Sequence, residues 1–291
     1  MKMKYFVHKL FWFFLNHTYK WWPDAIWLKV QYRIKMKQRL NLKTPKLYTE
    51  KLQWLKLHDR NPLYSILVDK YEVKQYVKEH IGAEYVIPTL GVWDHFDDID
   101  FDLLPDQFVL KCTHDSGNVW ICKDKLSFDK AAARKMLEES LKHNFYWWTR
   151  EWPYKNIKPR IIAEKYMVDE SGTELKDYKF FCFNGNPLYV QVDYNRFINH
   201  KRNIYDVNWN LQNFEIQFLS DRNHIIECPQ NYSTMLQIVR KMAVGIPHVR
   251  IDLYNVRGHI YFGEYTFYHG SGFEEFRPSE WNKKFGDLIV L

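Results

Sequence analysis

The chain of 291 residues holds only four cysteines, Cys112, Cys122, Cys182 and Cys228. Their spacing fits no metal-ligand pattern. So few in so long a chain make no disulfide framework, which points to a reducing cytosol. Long apolar runs are missing too. The run Leu10 to Leu15 is six residues, far short of the roughly 20 that span a bilayer. It lacks a small-residue cleavage site, which speaks against a signal peptide. No Gly-Lys-Ser or Gly-Lys-Thr opens a helix, which excludes a Walker A loop. No internal repeat is visible. Acidic residues are nearly absent from positions 1–46, where eleven Lys and Arg face Asp24 alone, a net +10. The whole chain carries +7, so the rest sums to −3 and implies no basic groove. The high pI is therefore no argument for nucleic acid as a partner.

What is present is a folded protein's composition, 46% apolar and 18% aromatic. Length allows one large domain or two moderate ones. Residues 5–22 mix bulky aromatics with lysines, and the pattern continues to Arg39 through Trp27, Leu28, Tyr32, Ile34 and Met36. Such a helical segment suits the headgroup level of an anionic membrane, a peripheral placement on the inner face of the plasma membrane. It equally suits a helical pair packing its rings on the body.

The C-terminal stretch 248–272 reads as two strands joined by a turn at Asn255 to Gly258. Val249, Ile251 and Leu253 alternate with Arg250, Asp252 and Tyr254. Ile260 and Phe262 share a face in the second strand, and Glu264 and Thr266 continue their register. Asp252 and Glu264 can then meet across the hairpin, with Arg250 beside Asp252. Oxygen ligands of this kind suit Mg²⁺. A solvated face with a cross-strand ion pair would carry the same residues.

Along the chain, Thr49 is placed as the cap of a helix over Glu50–Leu57, and Asp69 as a cap within Leu63–His80. Asp94 to Asp102 reads as a solvated acidic loop. Phe108–Cys112 and Val119–Cys122 read as strands around the small-residue loop Thr113–Asn118, whose amides could approach a phosphate beside Lys111. A helix from Ser127 to Lys142, a strand Ile161–Met167, a turn at Ser171-Gly172 and a hairpin around Asn184–Pro187 follow. Further strands at Asn203–Val207 and Phe214–Phe218 precede a helix over Thr234–Val244. Strands dominate the second half, so the fold class is α+β.

In this order and spacing, certain residues resemble the TupA-like ATP-grasp family of bacterial cell-envelope polysaccharide clusters. They are Glu50 to Lys56, Asp69-Lys70-Tyr71, Val109 to Gly117, Ala163 to Tyr166, Asp177 to Phe180, Val249 to Tyr254 and Gly263 to Phe267. The resemblance implies two α+β lobes sandwiching ATP. Residues 47–291 would form the ATP-grasp domain, with a smaller lobe near 85–167 and a metal and phosphate lobe near 168–291, after an N-terminal segment 1–46. Lys70 and Lys111 resemble the two nucleotide lysines. Thr113–Asn118 resembles the triphosphate lid, with His114, Ser116 and Gly117. Glu164, Lys165, Tyr166 and Met167 resemble the adenine hinge, and Asp177 a ribose acid. Arg250 would bind the transferring phosphoryl group. Asp252 and Glu264 would hold Mg²⁺, with Thr266 where many relatives have Asn.

The activity so implied is an ATP- and Mg-dependent carboxylate–amine ligation through an acyl phosphate. Its substrates would be a polysaccharide or sugar-acid carboxylate and an amine. A glycosyltransferase using a nucleotide sugar, or a degenerate membrane-bound scaffold, remain as alternatives. Lys165 and Lys179 read as solvated or as substrate contacts, and His248 and His259 as structural. Tyr268 to Gly272 follows the metal strand closely enough for a phosphate or substrate contact. Trp147, Trp148 and Trp152 suit either a sugar wall or core packing.

Overall fold

The computed structural model describes residues 18–169, 175–194 and 199–291. The aromatic stretch before Thr18 and the expected turn at Ser171-Gly172 lie outside them. Four helices open the described chain: α1 (Asp24–Lys35), α2 (Tyr48–His58), α3 (Leu63–Val68) and α4 (Glu72–His80). Asp69 Oδ1 accepts from the N–H groups of Tyr71 and Glu72, at 2.8 and 3.1 Å, and so starts α4. The cap of α2 differs from the sequence reading. Thr49 lies inside the helix, its hydroxyl bonded to Tyr32 and Asn282. Glu50 instead reaches back to the N–H groups of Lys46 and Leu47, at 2.9 and 3.1 Å, because a longer acid can satisfy the donors that precede its helix.

A small antiparallel sheet follows, built from β1 (Thr89–Trp93), β2 (Phe108–Cys112), β3 (Val119–Cys122) and β4 (Ile161–Lys165) in the order β1-β4-β2-β3. Between β3 and β4 run α5 (Lys130–Lys142) and α6 (Phe145–Thr149). The stretch between β1 and β2 is more than a solvated loop. Two short turns there bury Phe96, Ile99 and Phe101 against Phe108, Leu110 and Leu137. The acids sit outside while the alternate apolar residues complete this lobe's core.

The large sheet contains β5 (Asp177–Phe183), β6 (Asn186–Tyr194), β7 (Lys201–Asp206), β9 (His248–Val256) and β10 (His259–Thr266), in the order β10-β9-β5-β6-β7, all antiparallel. Its core face packs α7 (Tyr232–Ala243), with Phe180, Val190, Ile251 and Leu253 among the buried side chains. A two-stranded ribbon of β8 (Glu215–Ile216) and β11 (Phe276–Arg277) and the helix α8 (Glu280–Asp287) close one end. The class is α+β, as the strand-rich second half predicts. No helix among the described residues is long and apolar enough to cross a membrane.

Part of the N-terminal segment packs on the body. Trp27, Leu28 and Tyr32 of α1 are buried, and Trp27 Nε1 donates to the carbonyl of Trp148 at 2.8 Å. Gln31 donates to the same carbonyl at 3.0 Å. The Trp148 ring is half-buried and lies edge-on to Trp27.

Candidate active site

The site begins with a glycine that displaces a register. The β9–β10 turn falls at Arg257 and Gly258, both left-handed at φ 50° and 81°, the type I′ geometry that matches strand twist. From there His259 faces Val256 and Phe262 faces Leu253. Continued unchanged, this register would set Gly263 opposite Asp252. Gly263 is instead an extra residue, so Glu264 faces Asp252 and Thr266 faces Arg250. A β-bulge of this kind reverses the alternation of faces. Ile260 and Phe262 are buried before it, Tyr265 and Phe267 after it. Glu264 and Thr266 thereby part from the face of Ile260 and Phe262, against the sequence reading, and join Arg250 and Asp252. A Cβ on Gly263 would lie 3.0 Å from the Asp252 carbonyl oxygen and 3.2 Å from the Tyr254 ring. The close approach of the strands thus favours glycine.

On this face Arg250 grips Asp252 with two bonds, Nε to Oδ1 at 2.7 Å and Nη2 to Oδ2 at 2.8 Å. The same Nη2 reaches Glu264 Oε1 and Thr266 Oγ1, both at 3.0 Å. Lys179 of β5, paired in register with Asp252, donates to Asp252 Oδ2 at 2.9 Å. It also lies 3.1 Å from Asp177. Burial alone would raise the Asp252 carboxyl, but Arg250 and Lys179 outweigh it and hold it below the usual carboxylate range. Asp252 is shut from solvent, at 2% side-chain exposure, whereas Glu264 is open at 44%.

Between the two sheets lies a cleft of about 620 Å³, within the size range of small-molecule sites. Val109, Val119, Ile121, Met167 and Tyr254 give it apolar walls. Lys111, Glu164, Lys165, Tyr166, Asp177 and Gly117 also line it. Glu164 is held by two lysines, Lys111 at 2.5 Å and Lys74 at 2.6 Å. Its burial would raise the carboxyl, but both ammonium groups overcome that and lower it. Lys70 Nζ bonds the carbonyl of Asp115 and lies 3.9 Å from its carboxylate. Burial pushes this ammonium down, with Asp115 opposing. Asp177 and Lys179 thus join the cleft to the carboxylate pair through one chain of charges.

The loop Thr113–Asn118 divides in two. His114 is buried, its Nε2 against the carbonyls of Ser140 and His143, at 3.2 and 3.1 Å, at the end of α5. It is an anchor absent from the cleft lining, which corrects its expected place in a phosphate lid. Ser140 and Asn118 both donate to Asp115 Oδ2. The first half, Thr113 to Asp115, is buried, and the second half, Ser116 to Asn118, is exposed. Gly117 has φ +99° and open space where a Cβ would stand. His248 is structural, bonded to the Cys182 carbonyl and Tyr48 hydroxyl.

Sequence reading passed over Lys74 and left Lys179 undecided. Lys74 stands four residues after Lys70, which is one available signal. Lys179 alternates with Asp177 on one face of a strand, a weaker one. The donor types suit Mg²⁺, with both Asp252 oxygens here held by Arg250 and Lys179. Asp252 and Glu264 offer carboxylate oxygens at facing positions, with the Thr266 hydroxyl beside them. Among the described residues no three or more His, Cys, Asp or Glu could hold a metal. Mg²⁺ commonly takes one or two carboxylates and completes its shell with phosphates and water.

No protein of curated function matches the sequence. Among solved structures the chain is similar to D-alanine–D-alanine ligase from Bacillus anthracis complexed with ATP, at 17% identity and TM-score 0.40, covering 69% of this chain and 55% of that one. It is similar to L-amino acid ligase from Bacillus licheniformis at 13% identity and TM-score 0.49, covering 83% and 54%. Phosphoribosylamine–glycine ligase from Thermotoga maritima gives 13% and 0.43, covering 70% and 48%. The chain thus spans about half the length of each. The TupA-like ATPgrasp family matches residues 50–290. The chain belongs to the TupA-like ATP-grasp family.

Proposed function

We propose that the protein is an ATP- and Mg²⁺-dependent carboxylate–amine ligase. Its substrates are a uronic-acid or amino-acid carboxylate of a bacterial surface polysaccharide and an amine. The observation that supports this reading best is the facing pair Asp252 and Glu264 beside Arg250, joined through Lys179 and Asp177 to the cleft. In this reading the apolar walls and the segment Glu164 to Met167 hold adenine, and Asp177 binds ribose. Lys70, Lys74 and Lys111 gather beside Glu164 and Asp115, an excess of cations that favours an anionic triphosphate. Gly117 and Ser116 cover it with backbone amides.

A carboxylate is a poor acyl donor because its leaving group would be oxide. Its oxygen attacks the γ-phosphorus and ADP departs, giving an acyl phosphate. The amine nitrogen then bonds to the acyl carbon, sheds a proton, and inorganic phosphate leaves. Arg250 and Lys111 stabilise the charge that spreads over the transferring oxygens. A Mg²⁺ held by Asp252, Glu264 and Thr266 would neutralise phosphate charge and orient the chain. A closed, dry cleft strengthens each of these charges and protects the acyl phosphate from water.

The test is ADP release from Mg·ATP with panels of uronic acids and amines, with the amide identified by mass. Release that requires both substrates and disappears in Lys111→Ala supports the ligase. Stabilisation by Mg·UDP-sugars without any by Mg·ATP would overturn it in favour of glycosyl transfer.

A further inference from the structure

The N-terminal helix α1 has two faces, and only one is used by the fold. Trp27, Leu28, Gln31 and Tyr32 are buried against the body. The opposite face exposes Ile26, Lys29 and Arg33, and Ile34 is partly exposed at the edge of the buried face. Trp21, just before the helix, is 83% exposed and flanked by exposed Lys20. An exposed tryptophan and isoleucines are costly for water alone, and among basic residues they form a mixed surface.

The charge on that surface is of one sign for a structural reason. Asp24 is the single acid among residues 1–46, and it is consumed internally. Its carboxylate meets Arg150 Nε at 3.0 Å, the Tyr146 hydroxyl at 2.7 Å and Arg60 at 3.3 Å. Arg150 is itself fully buried and also donates to the carbonyls of Tyr19 and Trp22, at 2.6 and 3.1 Å. That clamp fixes the segment Tyr19–Trp22 against α6 and presents Trp21 outward. Lys29 and Arg33 therefore face solvent with no acid of their own segment to neutralise them. The seventeen residues before Thr18 add Lys2, Lys4 and Lys9 and the apolar run Leu10 to Leu15 to the same end of the chain.

We propose that Trp21 and the outer face of α1 form a docking surface for an anionic lipid bilayer. Trp and Ile seat at the headgroup level, and Lys and Arg meet anionic lipid. A nucleic acid would ask for a basic groove with stacking rings along it; a convex helix face with aliphatic residues between its cations fits a bilayer better. The same helix touches the segment that follows β10. Tyr32 lies against Phe273 with ring centroids 6.3 Å apart, and Lys35 Nζ sits 4.5 Å over that ring. Phe273 closes the segment that follows β10 and its Thr266. A bilayer on α1 would hold that segment near the surface.

The proposal stands apart from the ligase reading, because binding is measured without nucleotide. The full chain is floated with vesicles of phosphatidylcholine alone, or with roughly 30 mol% phosphatidylglycerol, at about 0.1 M salt. It is expected to float with the anionic vesicles only. Lys29→Gln with Arg33→Gln should lower the partition coefficient roughly thirtyfold, at about fivefold for each cation. Trp21→Ser keeps every charge and should weaken binding as well. All three side chains are exposed, so the variants should melt with the native protein. Equal flotation of the double variant, absence of flotation with anionic vesicles, or tighter binding to duplex DNA than to vesicles would each overturn the assignment.

Discussion

Asp252 and Glu264 face each other, yet replacing them should have opposite consequences for the fold. Asp252 is sealed, with Arg250 bound twice and Lys179 once. Asp252→Asn leaves Lys179 with Asp177 and Arg250 with Glu264, but removes the one enclosed carboxylate that both cations share. Breaking a buried pair in this way costs about 3–5 kcal/mol. At roughly 2–4 °C per kcal/mol, the melting point should fall by about 10 °C. Glu264 is open, its Oε1 bonded to an arginine that keeps Asp252. An exposed pair is worth about 0–1 kcal/mol, so Glu264→Gln should melt within a few degrees of the native protein. Its effect should appear in Mg²⁺ dependence instead. Groups that only orient a metal's ligands change affinity by about 10–100-fold, and a direct ligand should change it at least as much. The assay is a thermal-shift titration with ADP, in Mg²⁺ and in chelator. Ligand at 100 times its Kd adds about 2.7 kcal/mol. At the concentration where the native protein gains this from Mg·ADP, Glu264→Gln should gain no more than about 1.4 kcal/mol for a tenfold loss of affinity and about 0.4 kcal/mol for a hundredfold loss. An unchanged Mg²⁺ dependence in Glu264→Gln, or an Asp252→Asn protein as stable as the native one, would refute the reasoning.

Gly263→Ala should also weaken Mg·ADP binding, because its Cβ crowds the Asp252 carbonyl and shifts Glu264; ADP titration in Mg²⁺ reads this directly. Glu164 carries a folded pKa below its unfolded 4.5. Its contribution is complete above 4.5 and drains as pH falls through the folded value. Urea midpoints between neutral and acidic pH should therefore fall less steeply in Glu164→Gln than in the native chain. Lys56 is buried, donating to the Thr149 carbonyl and twice to Ser271, all at 2.9 Å. Burial pushes it from 10.5 down to about 7, with Glu151 opposing. Above pH 7 the unfolded chain holds a proton that the folded chain has released, so stability rises toward 10.5. Lys56→Met should flatten the rise of urea midpoints over that range.

The helices and strands of the second half were legible because their alternation and turn residues are local signals. Asn184 to Pro187 and Arg257-Gly258 each announce a hairpin within a few positions. The bulge at Gly263 carried a signal too, since an isolated glycine in a strand marks one, but its effect is a change of face that alternation alone cannot supply. The division of Leu63–His80 into α3 and α4 followed from Asp69, which satisfies the new helix start. His114 misled because a polar side chain in a glycine-containing loop reads as ligand-facing, while the carbonyls that claim it are at the end of α5. The Lys56–Glu151 pair had no signature, its members standing 95 positions apart. Much of the site was readable as residue types in order, and the partners Lys74 and Lys179 emerged only once sheets and helices were laid together.

The order β10-β9-β5-β6-β7 has a kinetic consequence. The β5–β6 and β9–β10 hairpins close over short turns, whereas β5 pairs β9 across the whole stretch from Phe183 to His248. Non-local pairing of this sort slows folding, because the loop must be ordered before the contact rewards it. A refolding chain can therefore set Glu264 opposite Asp252 early, from one hairpin. Lys179 reaches Asp252 only when the two hairpins join. Catalytic competence should then arise with the slowest step of folding, and a chain arrested before it would own both carboxylates but no cleft.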